Sequence, residues 1–271
     1  LESVSCLLGN DPERKKNQIS KDMKSVKESL LERRSIRRYE RQPIEPEKLD
    51  FIYEAIRNAP TSYNGQQYSV IAVEDQEKKE LLYEIIGQKQ IKTSAVFLVF
   101  CVDFNKVSLL AKAKELDFPR IQDKMDGVMI GLIDAALAMQ NAVVAAQSLG
   151  LGSCCIGYAR TADPARVAEA LQLPKGVFVA CGLSIGYPRE IPDLKPKQPL
   201  SVLIHKNHYR TDDMTEELLT YDRLICEYNG CRAGVKTDND WCAHMLDYYR
   251  EALKYDMEGY LKAQGFNLEY K

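Results

Sequence analysis

Residues 127–152 (GVMIGLIDAALAMQNAVVAAQSLGLG) restrict the possible folds most strongly, because a helix built from them is apolar on nearly every side. The run approaches the roughly 20 residues that cross a bilayer, but Asp134, Gln140, Asn141 and Gln147 interrupt it. It reads as a helix buried inside a soluble protein, which other layers must cover. The chain can supply those layers, since 45% of its 271 residues are apolar. Its 37 basic and 39 acidic residues leave a net charge of -2, which gives no field to draw in nucleic acid or an anionic membrane. Residues 1–22 read as a polar N-terminal extension without a signal-peptide pattern, so the expected location is cytoplasmic.

Around the long helix the hydrophobic period alternates between helix and strand. Residues 23–33 carry Val26, Leu30 and Leu31 at helical spacing, and Pro46 opens a helix through Arg57 with Leu49, Ile52, Tyr53 and Ile56 on one face. Residues 58–67 (NAPTSYNGQQ) are rich in turn formers. Strands are expected over 68–74 and 95–103, around a helix over 76–86. After the long helix come a strand over 153–158, a helix over 163–171 and a strand over 177–185 expected to be the most buried. From residue 213 the chain reads as nearly all helical, with Tyr221, Leu224 and Tyr228 on one stripe and a second helix over 241–262. No repeat or linker divides it, so residues 23–271 are expected to form one α+β domain including a helical tail over 213–271.

Cys101, Cys154, Cys155 and Cys181 lie in apolar runs without C-x-x-C pairing and read as reduced core residues. Cys226, Cys231 and Cys242 with His244 match no zinc-ligand spacing, so no metal is expected.

The densest charge is residues 32–39, ERRSIRRY, where Arg33, Arg34, Arg37 and Arg38 surround Ser35. On a helix, arginines four apart repel by a few tenths of a kcal/mol. Two readings compensate: a bound phosphate, whose oxygens match the guanidinium fork and a serine hydroxyl, or an ion-pair network with Glu28, Glu32 and Glu40. Lys195 and Lys197, held between prolines in PDLKPKQP, form a second basic pair. Gly150 and Gly152 follow a helix and precede a strand, the reverse of a dinucleotide fingerprint. Only three histidines occur, His205, His208 and His244, and neither G-x-S-x-G nor H-E-x-x-H is present. Chemistry that the side chains lack has to come from an organic cofactor.

The ordered set ERRSIRRY, APTSYNGQQYSVIAVED, GQKQI, SAVFLVFCVDF, SLGLGSCCIGYAR, GLSIGYP and PDLKPKQP resembles the FMN-dependent nitroreductase family. The likeness is to the branch of oxygen-insensitive nitroreductase A and flavin reductase P, over about residues 24–271. It implies a three-layer α+β fold with a central, mainly antiparallel sheet flanked by helices. It also implies a homodimer in which the long helix packs on its symmetry mate and two FMN sites lie at the interface. The implied activity is ping-pong transfer of hydride from NAD(P)H through flavin N5 to nitroaromatics, quinones or free flavins. Same-fold reductive dehalogenation, or a non-enzymatic anion-binding scaffold dimer, are the alternatives.

By position, the resemblance assigns Arg33, Arg34 and Ser35 to the FMN phosphate and ribityl chain, and Arg37 to the pyrimidine edge, where its charge acts electrostatically. Ser62, Gln66, Gln88 and Gln90 fall on the opposite wall. Gly157, Tyr158, Ala159 and Arg160 form a turn toward N5 and the phosphate, and Lys195 and Lys197 match a basic pair near the phosphate. Tyr63 and Tyr158 are open to substrate stacking or plain packing. Arg232 and Lys236 fall where the branch reads the NADPH 2'-phosphate, but Asp238 would repel it, which leaves NADH possible.

Overall fold

The computed structural model describes residues 24–232 and 236–268. Residue contacts divide them into two compact units, one reaching Glu190 and resuming at Glu258, the other spanning Ile191–Met257.

The first unit is built on a four-stranded antiparallel sheet with strand order β1-β2-β4-β3. Its strands are β1 (Tyr68–Val73), β2 (Val96–Asp103), β3 (Gly152–Ile156) and β4 (Val177–Gly186). Helices α1 (Val26–Leu31) and α2 (Pro46–Arg57) precede the sheet. Between its strands lie α3 (Gln76–Ile86), α4 (Gln90–Thr93), α5 (Asn105–Ala113), α6 (Met125–Ser148), α7 (Tyr158–Thr161) and α8 (Pro164–Ala170).

The apolar run forms α6, the one helix among the described residues long and apolar enough to cross a membrane. It packs instead against α2 and β2, and Asn141 Nδ2 donates to Ala55 O at 2.9 Å. The opposite sheet face meets α3, α4 and α8 in a core of Leu82, Ile86, Ile91, Phe97, Val99 and Val167. The Phe97 ring fits there because Gly182 has no side chain: a Cβ on Gly182 would collide with it. At the far end of the chain α12 (Met257–Ala263) leads to Phe266. That ring is fully buried and stands edge-on to Phe178, centroids 5.0 Å apart.

Several sequence expectations are corrected. The first helix stops at Leu31 rather than running to residue 33, because Ser35 and Tyr39 bridge to Ser153 and Pro188 and pull the chain out of helical geometry. Strand β2, not β4, is buried along its whole length. Both strands are interior to the sheet; β4, beside the edge strand β3, departs from full burial only at the half-buried Cys181. On that edge strand Cys155 is exposed, unlike Cys101 and Cys154.

The second unit holds α9 (Leu200–Leu203), α10 (Thr215–Cys231) and α11 (Trp241–Ala252). The stripe on α10 falls one residue away from expectation: Tyr221 and Ile225 are buried and Leu224 is 45% exposed. The Tyr221 and Trp241 rings meet edge-on at 5.7 Å. The helix expected over 241–262 is two helices, α11 ending at Ala252 and α12 starting at Met257.

Candidate functional site

The arginine segment runs along the outer edge of β3. Ile36 N donates to Ser153 O at 2.9 Å, and the buried Ile36 side chain fills the space that a Cβ on Gly152 would occupy. Further along, Tyr39 is buried and its hydroxyl donates to Ile36 O at 2.7 Å. These anchors fix the backbone while leaving Arg33 and Ser35 half-buried and Arg37 exposed. Because the segment is not helical, the expected repulsion between arginines four apart does not arise.

Carboxylates do not neutralise this segment. Glu28 is spent in a capping box with Ser25, its Oε2 accepting from Ser25 N at 2.9 Å, and Glu32 faces Lys24 at 3.5 Å. Among the described residues the four arginines make one ion pair, Arg38 with Glu190 at 3.7 Å. Arg34 donates through NH1 to Glu32 O at 3.0 Å, while its Nε is buried without a partner. An unpaired buried guanidinium N–H costs about 1–3 kcal/mol or more, which an anion at this place would offset.

Gln88 and Gln90 join this wall. Gln90 Nε2 donates to Gln88 Oε1 at 3.1 Å and lies 3.9 Å from Cys154 Sγ. Ser184 Oγ donates to Gln90 O at 3.2 Å and ties α4 to the sheet. Burial raises the Cys154 thiol above its ordinary pKa, against the pull of Arg37 and Arg33, so it stays neutral and leaves their charge uncancelled. Glu190, which sequence reasoning did not single out, accepts from Arg37 N at 2.8 Å and Arg38 N at 3.2 Å. It lies far away in sequence and carries no motif.

The other predicted residues stand elsewhere. Ser62 and Gln66 lie in a loop fixed to α6: buried Asp134 accepts from Ser62 N at 2.9 Å and Gln67 N at 3.2 Å. Among the described residues no hydrogen bond or ion pair joins this loop to the arginine segment. Tyr63, at its tip, is fully exposed. Gly157 begins α7, where a Cβ would meet nothing, and Ala159 is buried. Tyr158 is 40% exposed, and the Arg160 guanidinium donates to Ala180 O at 2.9 Å. Lys195, Lys197, Arg232 and Lys236 belong to the second unit, the first two and Lys236 exposed. There the residues after 235 fold back on α10, with Thr237 N donating to Asn229 O at 3.1 Å. No group of three or more His, Cys, Asp or Glu among the described residues could hold a metal ion.

Residues 30–187 match the Nitroreductase family and residues 195–269 the Nitroreductase family, C-terminal domain. The chain belongs to the nitroreductase family. It is 37% identical over 249 residues to the FMN reductase [NAD(P)H] of Bacillus subtilis, covering 91% of this chain and 100% of that protein. A hypothetical oxidoreductase from Bacillus subtilis superposes with a TM-score of 0.87 at 37% identity, over 92% of this chain and 100% of that one. The NADPH:FMN oxidoreductase from Vibrio harveyi complexed with NAD+ gives a TM-score of 0.77 at 28% identity, over 90% and 99%. This nitroreductase therefore shares fold and chain length with flavin-using relatives.

Proposed function

We propose that this nitroreductase is an NAD(P)H-dependent flavin oxidoreductase that holds FMN along the arginine segment and reduces small electron-poor acceptors. The observation that carries the reading is a run of consecutive donors left without carboxylates: Arg33, the orphaned Nε of Arg34, and Ser35. Relatives named for FMN reductase activity support the same cofactor. Bound FMN supplies two-electron hydride chemistry, for which the chain has no side chain of its own.

The chain's residues bind, orient and set the field. Arg33 and Ser35 give charge-assisted donors to the phosphate, and Gln88 and Gln90 offer amides to the ring edge. Arg37, kept in place by Glu190 through its backbone N–H, puts a positive charge where negative charge develops on reduction. Replacing Arg37 by alanine is expected to slow flavin reduction by about tenfold, near 1.4 kcal/mol of barrier, and to weaken FMN binding less. Stopped-flow reduction at an unchanged rate would refute that role.

A single chain presents the arginine wall and the Ser62–Gln66 loop as separate pieces. A second copy completes the site: α6 exposes Met125, Met129, Ile133 and Leu137 in one row, and α1 adds Val26 and Leu30. The acceptors proposed are nitroaromatics, quinones or free flavins, reduced in alternation with the nicotinamide in one pocket. The test is direct. Purified protein should be yellow, bleach with NAD(P)H without air and recover its colour with a quinone; a colourless protein that FMN does not reconstitute would favour an anion-binding scaffold.

Nicotinamide choice follows from the loop after α10. Asp238 and Lys236 are both exposed in the stretch that follows α10, so NADPH is expected to hold less than a tenfold advantage in kcat/KM over NADH. Asp238→Arg should raise the NADPH value about three- to tenfold, since unit charges a few ångströms apart in water interact by about 1 kcal/mol. Steady-state kinetics with both nucleotides check this, and an unaltered ratio in the variant would remove Asp238 from the account.

A further inference from the structure

A cleft of about 1050 Å³ opens beyond Arg37, between the stretch that follows the arginine segment and the helices α3 and α4. Arg37, Arg38, Arg41, Arg189, Lys89 and Lys92 line it. Only two acidic residues, Glu40 and Glu80, line it as well. Arg33 and Ser35, which would hold the FMN phosphate, do not line it, whereas Arg37, Gln88 and Gln90, which would face the flavin ring, do; of its other cations, Lys92 lies over the Tyr83 ring with Nζ 4.0 Å from the centroid. Among the described residues Arg38 with Glu190 is the one ion pair any of them makes.

Lys79 also lines the cleft and is 4% exposed. Its Nζ donates to Ser94 O at 2.8 Å and Ala95 O at 3.3 Å. An ammonium has three hydrogens, so these two bonds leave one free to donate elsewhere. Burial disfavours this ammonium, and the charges of Glu74 and Asp75 offset that only in part, so a further anion nearby would stabilise it. Mutual repulsion of so many cations around one concave surface adds to that cost, because the low-dielectric walls weaken screening. The arrangement suits a ligand with two or more negative charges close together. Arginine forks match phosphate oxygens in pairs, and lysines serve as point charges around them.

We propose that this cleft is a second anion site, distinct from the flavin phosphate site, that takes a small polyphosphate. Calorimetric titration of the flavin-loaded protein with inorganic pyrophosphate at low ionic strength tests it, with flavin absorbance followed throughout. Saturable binding of one pyrophosphate per chain with the flavin retained is the expected result. Arg41 and Lys89 are exposed and make no side-chain bond among the described residues, so Arg41→Ala with Lys89→Ala should leave the fold and flavin intact and raise Kd at least tenfold. The double variant Lys112→Ala with Lys114→Ala removes equal charge from exposed positions at the C-terminal end of α5, outside the cleft, and should leave Kd unchanged. No saturable binding, displacement of flavin by pyrophosphate, or equal weakening in both double variants would overturn the assignment. Since the titration reports anion binding rather than turnover, a colourless protein would count against the flavin reading alone.

Discussion

Replacing Arg33 and Ser35 together by alanine is expected to give a folded protein that purifies without flavin. Both side chains are half-buried and neither makes a side-chain hydrogen bond or ion pair among the described residues, so the fold loses little with them. What holds this stretch is backbone: the bridge from Ser35 to Ser153 and the Ile36 N–H on Ser153 O, which alanine retains. A hydrogen bond to a charged group contributes about 1.5–3 kcal/mol, so two donors to a phosphate account for roughly 3–6 kcal/mol, or about 10²- to 10⁴-fold in Kd. FMN titration by fluorescence quenching, with far-ultraviolet dichroism as the check on folding, measures it. A variant that folds and still binds FMN within about threefold of the parent would remove the arginine segment from the cofactor site. Arg34 is a poorer choice for this test, because its guanidinium also bonds Glu32 O and its loss would disturb the end of α1.

The contrast between Ser35 and Glu190 shows which parts of the site were legible in the chain. Arginines crowded around a serine within eight residues leave two readings, a bound phosphate or an ion-pair network, and it is the order of motifs around them that carries the family. The residues that aim the arginines carry no such mark. Glu190 reaches Arg37 from 153 positions away, and nothing in its neighbourhood distinguishes it from a surface glutamate. Period was read well where one element dominates a window, as in α2 or α3, whose predicted and observed bounds coincide. It failed where tertiary bonds override local preference. Residues 32–33 are expected to continue the helix, yet it ends at Leu31 and the chain passes on to Ser35 and Ile36, which bond Ser153 of β3. The basic cleft was equally hidden, since its cations come from three separate stretches of chain.

Asp134 was visible only as an interruption in an apolar helix, and its replacement is expected to have the largest effect on stability. The carboxylate is fully buried on α6, with one oxygen on Ser62 N and the other on Gln67 N. Between those two bonds the backbone takes positive φ at Tyr63 (54°), Asn64 (54°) and Gln66 (51°). Such conformations cost of order 1 kcal/mol or more each and persist only when the surroundings hold them. Asp134 supplies that hold, assisted by Lys106, whose ammonium donates to Gln66 O at 3.1 Å. Asp134→Ala leaves a cavity, deprives two amides of their acceptors and frees the strained turn. The expected loss is about 2–4 kcal/mol, lowering Tm by on the order of 5–15 °C. Asp134→Asn keeps one acceptor oxygen and should fall between. The two predictions then separate cleanly: loss of Arg33 and Ser35 removes flavin and spares the melting temperature of the flavin-free protein, whereas loss of Asp134 lowers it even without flavin. Proteolysis should also begin within residues 61–67 in the Asp134→Ala protein. A melting curve and a cleavage pattern unchanged from the parent would mean that the turn holds itself, and that the polar break in the apolar helix serves some other contact.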